Sequence, residues 1–230
     1  EDELAEILRQ YGEQHEQKYL EELTATVTAL GQGVIDLDAE RDDANPYAVE
    51  ALRDRAQQTK KELATGGNVL YQPTFFREDD NGIAWVGRAD FLVPVDSLSF
   101  EPEDTKLARI AKVNAVLQLC SYAEHLGKIQ GKEPEFIHVV TGSAEEGKVS
   151  VRLNEVSAYY RRIKADLERA VLEGFTGPSE PVPVDFCTIC RWNKDCTRTW
   201  RDMDHLSFVA GLTKAHRESL VESGITTLAE

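Results

Sequence analysis

The segment GRADFLVPVDSLSFEPEDTK, residues 87–106, decides the fold, because its pattern predicts two strands joined by a tight turn. We expect the first strand over residues 83–95 and the second over residues 99–107. Strands joined by such a short connection pair as a hairpin, and this pairing would bring Asp90 close to Asp104. Two carboxylates that are distant in the sequence would then meet in space.

Strand geometry sorts the side chains around Asp104 onto two faces. Because successive side chains alternate, Asp104 and Lys106 should share a face, whereas Thr105 should point away. Glu101 and Glu103 have the opposite parity to Asp104, so they should also face away. Two carboxylates and an ammonium group at one strand end could bind a divalent cation beside a positive charge, which suits hydrolysis of a phosphodiester bond.

Apolar periodicity and turn residues predict the elements on either side of this hairpin. In chain order they are a helix over 2–30, a loop over 36–46, a helix over 47–64, a strand over 69–78, the hairpin, a helix over 109–128, strands over 134–142 and 147–154, and a helix over 155–173. This order predicts an α/β fold in which helices flank a mixed sheet, with the acidic hairpin at the centre.

Composition narrows the class of protein. The 230 residues carry a formal net charge of −15, which argues against loose electrostatic adhesion to DNA but leaves room for a local basic channel. The sequence has no apolar run of about 18 residues, so we expect a cytoplasmic protein without a membrane partner. The chain starts inside a helical pattern without Met, and we therefore expect a fragment of a longer protein.

A Pro-rich stretch over residues 177–183 predicts a linker. It separates a predicted core, residues 1–176, from a cysteine segment, residues 177–202, and a helical tail, residues 203–230. The domain organisation that we expect is therefore one α/β core followed by two small appendages.

Three of the four cysteines lie close together, as Cys187, Cys190 and Cys196. Three thiolates at this spacing predict a metal site, either Zn²⁺ or an iron–sulfur cluster, each of which needs four ligands. Cys120 lies inside a predicted helix and is expected to be a buried thiol. His205 is a candidate substitute ligand, although a surface position is expected for this histidine.

Four motifs occur in order along the chain, YGEQHEQKYLEEL at 11–23, GRADFL at 87–92, EDTK at 103–106 and QLCSY at 118–122. With them the chain resembles the RecB-like branch of the PD-(D/E)XK nuclease superfamily, over roughly residues 11–200. That branch shows Gly-x-x-His-Glu, Gly-x-x-Asp, (Asp/Glu)-x-Lys and Gln-x-x-x-Tyr motifs. The chain is most similar to RecB-like nucleases fused to a helicase, and less similar to the CRISPR-associated RecB-like exonucleases.

The resemblance implies a restriction-endonuclease-like core with Mg²⁺ or Mn²⁺ at its active site. The metal ligands would be His15, Asp90, Asp104 and the backbone carbonyl of Thr105, and an imidazole ligand favours Mn²⁺. Lys106 would orient the attacking water and stabilise developing negative charge.

The same resemblance places Gln118 and Tyr122 beside the substrate strand, one helical turn apart. From the sequence alone, Tyr122 could equally be a boundary aromatic residue with a hydrated hydroxyl. Val113, Val116 and Leu117 are expected to form the buried part of this helix.

The clustered cysteines match the spacing in iron–sulfur members of the branch, whose fourth cysteine lies upstream of the His-containing helix. No cysteine precedes His15 here, so we expect either that the fourth ligand of a 4Fe–4S cluster lies outside this chain, or that the thiols hold Zn²⁺ or no metal. The tail, with Gly-Ile-x-Thr-Leu near its end, resembles the start of a helix-hairpin-helix-like element.

The function implied is that of a metal-dependent DNA nuclease, an exonuclease on single-stranded or end-bearing DNA. It would act in DNA repair as part of a larger protein with a helicase domain. Two alternatives remain open at this stage, a non-catalytic nucleic-acid-binding module and a zinc-stabilised interaction domain.

Overall fold

The chain is described here by a computed structural model that covers residues 3–39, 45, 47–143, 147–174 and 181–230. It divides into a larger unit, Ile7–Gly174, and a smaller unit that contains residues 181–230. No helix among the described residues is long and apolar enough to cross a membrane.

The helices up to residue 174 follow the predicted order, whereas the strands include an unpredicted β1 and two predicted strands that are each divided in two. In chain order the helices and strands are α1 (Glu3–Ala29), β1 (Val34–Asp36), α2 (Val49–Thr65), β2 (Val69–Tyr71), β3 (Thr74–Glu78), β4 (Ala84–Arg88), β5 (Phe91–Pro94), β6 (Phe100–Lys106), α3 (Val113–Gln130), β7 (Phe136–Thr141), β8 (Lys148–Arg152) and α4 (Leu153–Glu173). The short strand β1 ends at the first residue of the predicted loop over residues 36–46. Part of that loop, residues 40–44 and 46, lies outside the described residues.

The main sheet has six strands in the order β1-β2-β5-β6-β7-β8. Strands β1 and β2 are parallel, as are β6 and β7, and the other neighbours are antiparallel. The sheet is therefore mixed, and the hairpin β5–β6 occupies its centre, as the sequence predicts. The α/β class with a mixed central sheet and flanking helices is confirmed.

Two predicted strands are each broken in the structure. The stretch predicted as one strand over residues 69–78 forms β2 and β3, and the stretch over residues 83–95 forms β4 and β5. Strands β3 and β4 pair only with each other, in a separate two-stranded sheet. The prediction of two continuous strands was therefore wrong.

Both breaks occur where the two chain segments face each other. Gln72 has a φ of 55°, outside the extended region, and Pro73 has no N–H to donate. The N–H of Gln72 donates to the carbonyl of Asp90 at 2.8 Å, and the N–H of Ala89 donates to the carbonyl of Pro73 at 3.1 Å. The paired segments thus bend together, and the bend places Asp90 just before the start of the central strand β5.

Each face of the main sheet has its own helical cover. Helix α1 packs on the first face, where Tyr19, Leu23 and Val27 join Val69 and Phe91 in one apolar cluster. Helices α2, α3 and α4 contribute to a larger cluster on the second face.

Representative members of this larger cluster are Leu63, Phe75, Leu92, Phe100, Leu119, Leu126, Ile137, Val139, Leu153 and Tyr160. Contrary to the prediction, Val113 is exposed on α3, because the helix begins only at this residue. Cys120 is buried, as predicted, and burial raises the pKa of its thiol to about 11.

The smaller unit contains two α-helices among its described residues, α5 (Asn193–Asp202) and α6 (Lys214–Glu222). The indole of Trp200 is buried and donates to the carbonyl of Pro181 at 2.6 Å. His205 is buried and stacks against Trp200, with ring centroids 6.2 Å apart, so the expected surface position was wrong. The chain after α6 returns to this region, where Thr227 forms a β-bridge with His205.

Candidate active site

Asp90 lies in the connection between β4 and β5, where the paired segments bend. Its Oδ2 accepts hydrogen bonds from the N–H and from the hydroxyl of Thr105, both at 2.7 Å. Phe91 is the register partner of Glu103, so Asp90 lies next to Asp104 on the neighbouring strand. The predicted approach of the two aspartates is confirmed, whereas the hydroxyl contact of Thr105 is one that strand alternation does not predict.

Asp104 is the most perturbed acid of this group. Its side chain is 1% exposed, and its Oδ2 forms an ion pair with the ammonium group of Lys106. Burial, followed by the negative charge of Asp90, raises the pKa of Asp104 to about 6. A buried carboxylate beside a second carboxylate is suited to binding a cation, because a cation offsets the repulsion between the two negative charges.

Lys106 lies on the same face as Asp104, as strand alternation predicts. Its side chain is 34% exposed, so the ammonium group reaches both the buried carboxylate and the solvent. The site therefore combines two acids and one accessible cation at the end of β6.

Glu16 on α1 is a member of this region for which the sequence offered no clear role. It accepts hydrogen bonds from the hydroxyl of Tyr71, at 2.8 Å, and from the side-chain amide of Gln72. Burial, followed by the charge of Asp90, raises the pKa of Glu16. Glu16 also contributes to the raised pKa of Asp104, so three carboxylates share one electrostatic environment.

Gln72 connects Glu16 with Asp90. Its backbone N–H binds the Asp90 carbonyl and its side-chain amide binds Glu16, while its own Oε1 is buried without a partner. A glutamine with positive φ is strained, and such strain is often retained at functional positions. No feature of the sequence marked Gln72, because a left-handed residue of this type has no sequence signature.

His15, the predicted imidazole ligand, lies on α1 near the end of β7. Its Nε2 is 3.2 Å from the carbonyl oxygen of Val140. Among the residues that the structure describes, no three His, Cys, Asp or Glu side chains form a group able to hold a metal ion. The structure thus unites Asp90 and Asp104 but does not add His15 to them, and its ligand role stays a prediction.

Gln118 and Tyr122 contact each other on α3, as their spacing predicts. The side-chain amide of Gln118 lies 2.6 Å from the hydroxyl of Tyr122. Tyr122 is 5% exposed, and burial, with smaller effects from Asp104 and Asp90, raises its pKa to about 12. Its hydroxyl therefore remains protonated within the electric field of the two aspartates, and its role beside the substrate stays a prediction.

Gly87 explains how the Tyr122 ring comes so close to β4. A Cβ atom at Gly87 would lie 2.8 Å from Cε1 and 3.0 Å from Cδ1 of Tyr122. On its other side the ring stacks against Phe75, with centroids 6.0 Å apart. The glycine that precedes Asp90 by three positions thus provides space for the aromatic ring beside the acids.

Glu101 and Glu103 are buried on the face opposite to Asp104, as predicted. Glu103 accepts a hydrogen bond from Tyr19 of α1 and forms an ion pair with Lys148. Glu101 binds the Nε2 of His138 at 2.8 Å. Both acids have partners of their own and are separate from the Asp104 group.

The clustered cysteines lie in the smaller unit. Cys187, Cys190 and Cys196 are partly exposed free thiols, and the N–H of Val184 lies 3.4 Å from the Sγ of Cys187. The candidate substitute ligand His205 instead accepts, through Nδ1, the N–H of Ser207 at 3.1 Å. In the described part of the chain these three thiols do not form a group able to hold a metal ion, so the predicted cysteine site stays a prediction.

Comparison with known proteins gives no relative from which a function could be transferred. No protein-family model matches the sequence, and a search of curated proteins returns no match. The chemistry of the site therefore has to be argued from its own residues.

Proposed function

We propose that the larger unit is a metal-dependent DNA nuclease with a restriction-endonuclease-like core, similar to the RecB-like branch of the PD-(D/E)XK superfamily. The observation that carries the proposal is the group formed by Asp90, Asp104 and Lys106. Two carboxylates lie side by side, one of them is buried, and a partly exposed ammonium group pairs with the buried one.

Mg²⁺ or Mn²⁺ fits this group, because both prefer oxygen ligands and the carboxylates of Asp90 and Asp104 lie on neighbouring strand positions. Asp90 and Asp104 would hold the ion, with the Thr105 carbonyl and His15 as the further ligands that the resemblance implies. When bound, such an ion supplies an acidified water and neutralises charge on the phosphate.

The residues of the chain would provide positioning and charge. Lys106 would stabilise the negative charge that develops on the phosphate and orient the attacking water. The protonated hydroxyl of Tyr122, held by Gln118, would donate a hydrogen bond to the substrate strand. The water would attack the phosphodiester in line and release a 5′-phosphate and a 3′-hydroxyl.

The substrate we propose is DNA that is single-stranded or has free ends, and the partner is a helicase domain of a larger DNA-repair protein. The smaller unit would hold an iron–sulfur cluster completed by a ligand outside this chain, or Zn²⁺. Metal and sulfide analysis, together with the visible absorption spectrum, distinguishes these two, because Zn²⁺ sites are colourless.

Cleavage of end-labelled single-stranded DNA in the presence of Mn²⁺ tests the nuclease. Asp104→Ala and Lys106→Ala should each reduce the rate at least about 100-fold, the magnitude typical of lost transition-state stabilisation. Asp80→Ala and Lys132→Ala, at exposed positions, are the matched controls and should leave it unchanged. Cleavage rates equal to that of the parent in all four variants would refute the nuclease assignment. A parent protein that binds DNA without cleaving it would favour the non-catalytic module.

A further inference from the structure

A cavity of about 720 Å³ lies in the larger unit between helices α2 and α3. Residues of α2 and α3 form its walls, β3 forms its floor, and Leu98 in the turn between β5 and β6 lies at one end. This volume is within the range of small-molecule sites, which is about 300–1,000 Å³. None of the residues proposed for the nuclease lines it.

His125 gives the cavity a polar group. The residue is 5% exposed, and its ring stacks on Phe75 with centroids 5.5 Å apart and planes at 14°. Within the described part of the chain, neither ring nitrogen of His125 has a hydrogen-bond partner in the protein. Burial, followed by the positive charge of Arg77, lowers the pKa of His125 to about 4. The neutral ring therefore offers one donor and one acceptor to the cavity.

The charges along the cavity are of one sign. Lys60, Arg77 and Lys128 are among the lining residues, which include no carboxylate. Arg77 is paired with Asp79 at 2.6 Å, and Arg77 and Lys128 also contact Glu124, at 3.2 and 3.3 Å, although neither acid is part of the lining. Lys60 has no acidic partner among the described residues, and its free ammonium group favours an anionic group beside it.

The apolar part of the lining defines the rest of the ligand. Leu63 and Ala56 on α2, Phe76 on β3 and Ile129 on α3 present hydrocarbon and aromatic surface. Contact between such a surface and a flat or apolar ligand removes apolar area from water, which favours binding. A fully hydrated ion has no apolar area to bury there.

We propose that this cavity binds a small molecule with a flat apolar body and one anionic group. The body would lie between α2 and α3 over Phe76, the anionic group would meet Lys60 and Lys128, and His125 would hydrogen-bond to a polar atom of the body. A nucleoside monophosphate and an aromatic carboxylic acid share this chemistry. The site stands independently of the proposed nuclease activity, because no residue is common to both.

Titration with anilinonaphthalene sulfonate, an anion with a flat naphthalene body, tests the cavity in the intact protein. We expect one saturable site with a dissociation constant of roughly 1–100 μM, detected by fluorescence and confirmed by calorimetry. Ala64→Trp, at an exposed rim position of the cavity, should weaken binding at least about tenfold by blocking entry. Gln58→Trp, exposed on the same helix but outside the lining, is the matched control and should bind like the parent.

Lys60→Glu provides a second variant whose folding is not at risk, since Lys60 is exposed. It should weaken binding of the sulfonate about three- to tenfold at low salt, and less at high salt. Competition by dAMP and by 2-naphthoate distinguishes a nucleoside monophosphate from an aromatic carboxylic acid as the class of ligand. The compound that displaces the sulfonate at the lower concentration belongs to the class whose apolar body fits the cavity better. The proposal would be overturned if the parent protein did not bind the sulfonate, or if Ala64→Trp and Lys60→Glu bound it as tightly as the parent does. It would also be overturned if neither dAMP nor 2-naphthoate displaced the sulfonate.

Discussion

Replacement of Asp104 by asparagine should stabilise the protein in the absence of metal, while removing its nuclease activity. The raised pKa of this aspartate means that its ionised form is disfavoured in the folded state. Asparagine has nearly the same shape and no charge, so it removes both the cost of burial and the repulsion by Asp90.

The magnitude follows from the pKa. A rise from 3.8 to about 6 corresponds to about 3 kcal/mol, because one pKa unit is equivalent to about 1.36 kcal/mol. In the parent protein the folded state binds the Asp104 proton more tightly than the unfolded state. Stability is therefore lost as the pH rises from about 4 to about 6, and the full cost applies above that range. We expect Asp104→Asn to be about 2–3 kcal/mol more stable than the parent at pH 8, and nearly equal to it at pH 4.

Urea unfolding in EDTA measures this difference, and the expected gain shifts the midpoint by about 1 M at pH 8. Addition of Mn²⁺ should cancel the difference, since saturation at about 100 times the dissociation constant stabilises only the parent, by about 2.7 kcal/mol. Asp80→Asn, at an exposed position, is the control and should change neither value. An Asp104→Asn variant that is less stable than the parent at pH 8 in EDTA, or equally stable, would refute this reasoning.

Three further predictions concern the surroundings of the site and of the cavity. Gln72→Gly should change the free energy of unfolding by less than about 1 kcal/mol, because relief of backbone strain offsets the lost amide contact. The rate of DNA cleavage should nevertheless fall about tenfold, because the carboxylate of Glu16 loses the amide that orients it. Gly87→Ala should cost about 1–3 kcal/mol in urea unfolding and also slow cleavage, since the added methyl group displaces the Tyr122 ring. The pKa of His125 is lowered from 6.5 to about 4 in the folded state, so the unfolded state takes up the proton first on acidification. Up to about 3 kcal/mol of stability should therefore be lost as the pH falls from 6.5 to 4, and His125→Phe should reduce this loss.

Controls and contrary results for these three variants are available in the same chain. Gly12→Ala has open space around its Cβ and lies within α1, so it should be neutral or slightly stabilising, in contrast to Gly87→Ala. Undiminished cleavage by Gln72→Gly would remove the positioning role of that residue. An unchanged pH dependence in His125→Phe would show that other groups control stability below neutral pH.

Local pattern was sufficient for most elements because their signals lie within a few residues. Helical periodicity predicted α1 and α2, and the alternation around Asp104 predicted which side chains of β6 share a face. The continuous strands over residues 69–78 and 83–95 were wrong for a non-local reason. Their bend depends on two hydrogen bonds, one between Gln72 and Asp90 and one between Ala89 and Pro73, and these pairs are distant in the sequence.

The sequence by itself determined the mixed α/β class, the central acidic hairpin and the proximity of Asp90 to Asp104, since hydrophobic patterning and a short turn specify strand pairing directly. Only the tertiary structure decided that Glu16 joins the same electrostatic environment and that His15 lies against Val140 instead. A helix can cross a sheet in many orientations, so its contacts with strand ends depend on packing across the whole unit and not on local propensity. The same reason explains why the cavity beside His125, which needs two helices and a strand to form, has no counterpart in the linear sequence.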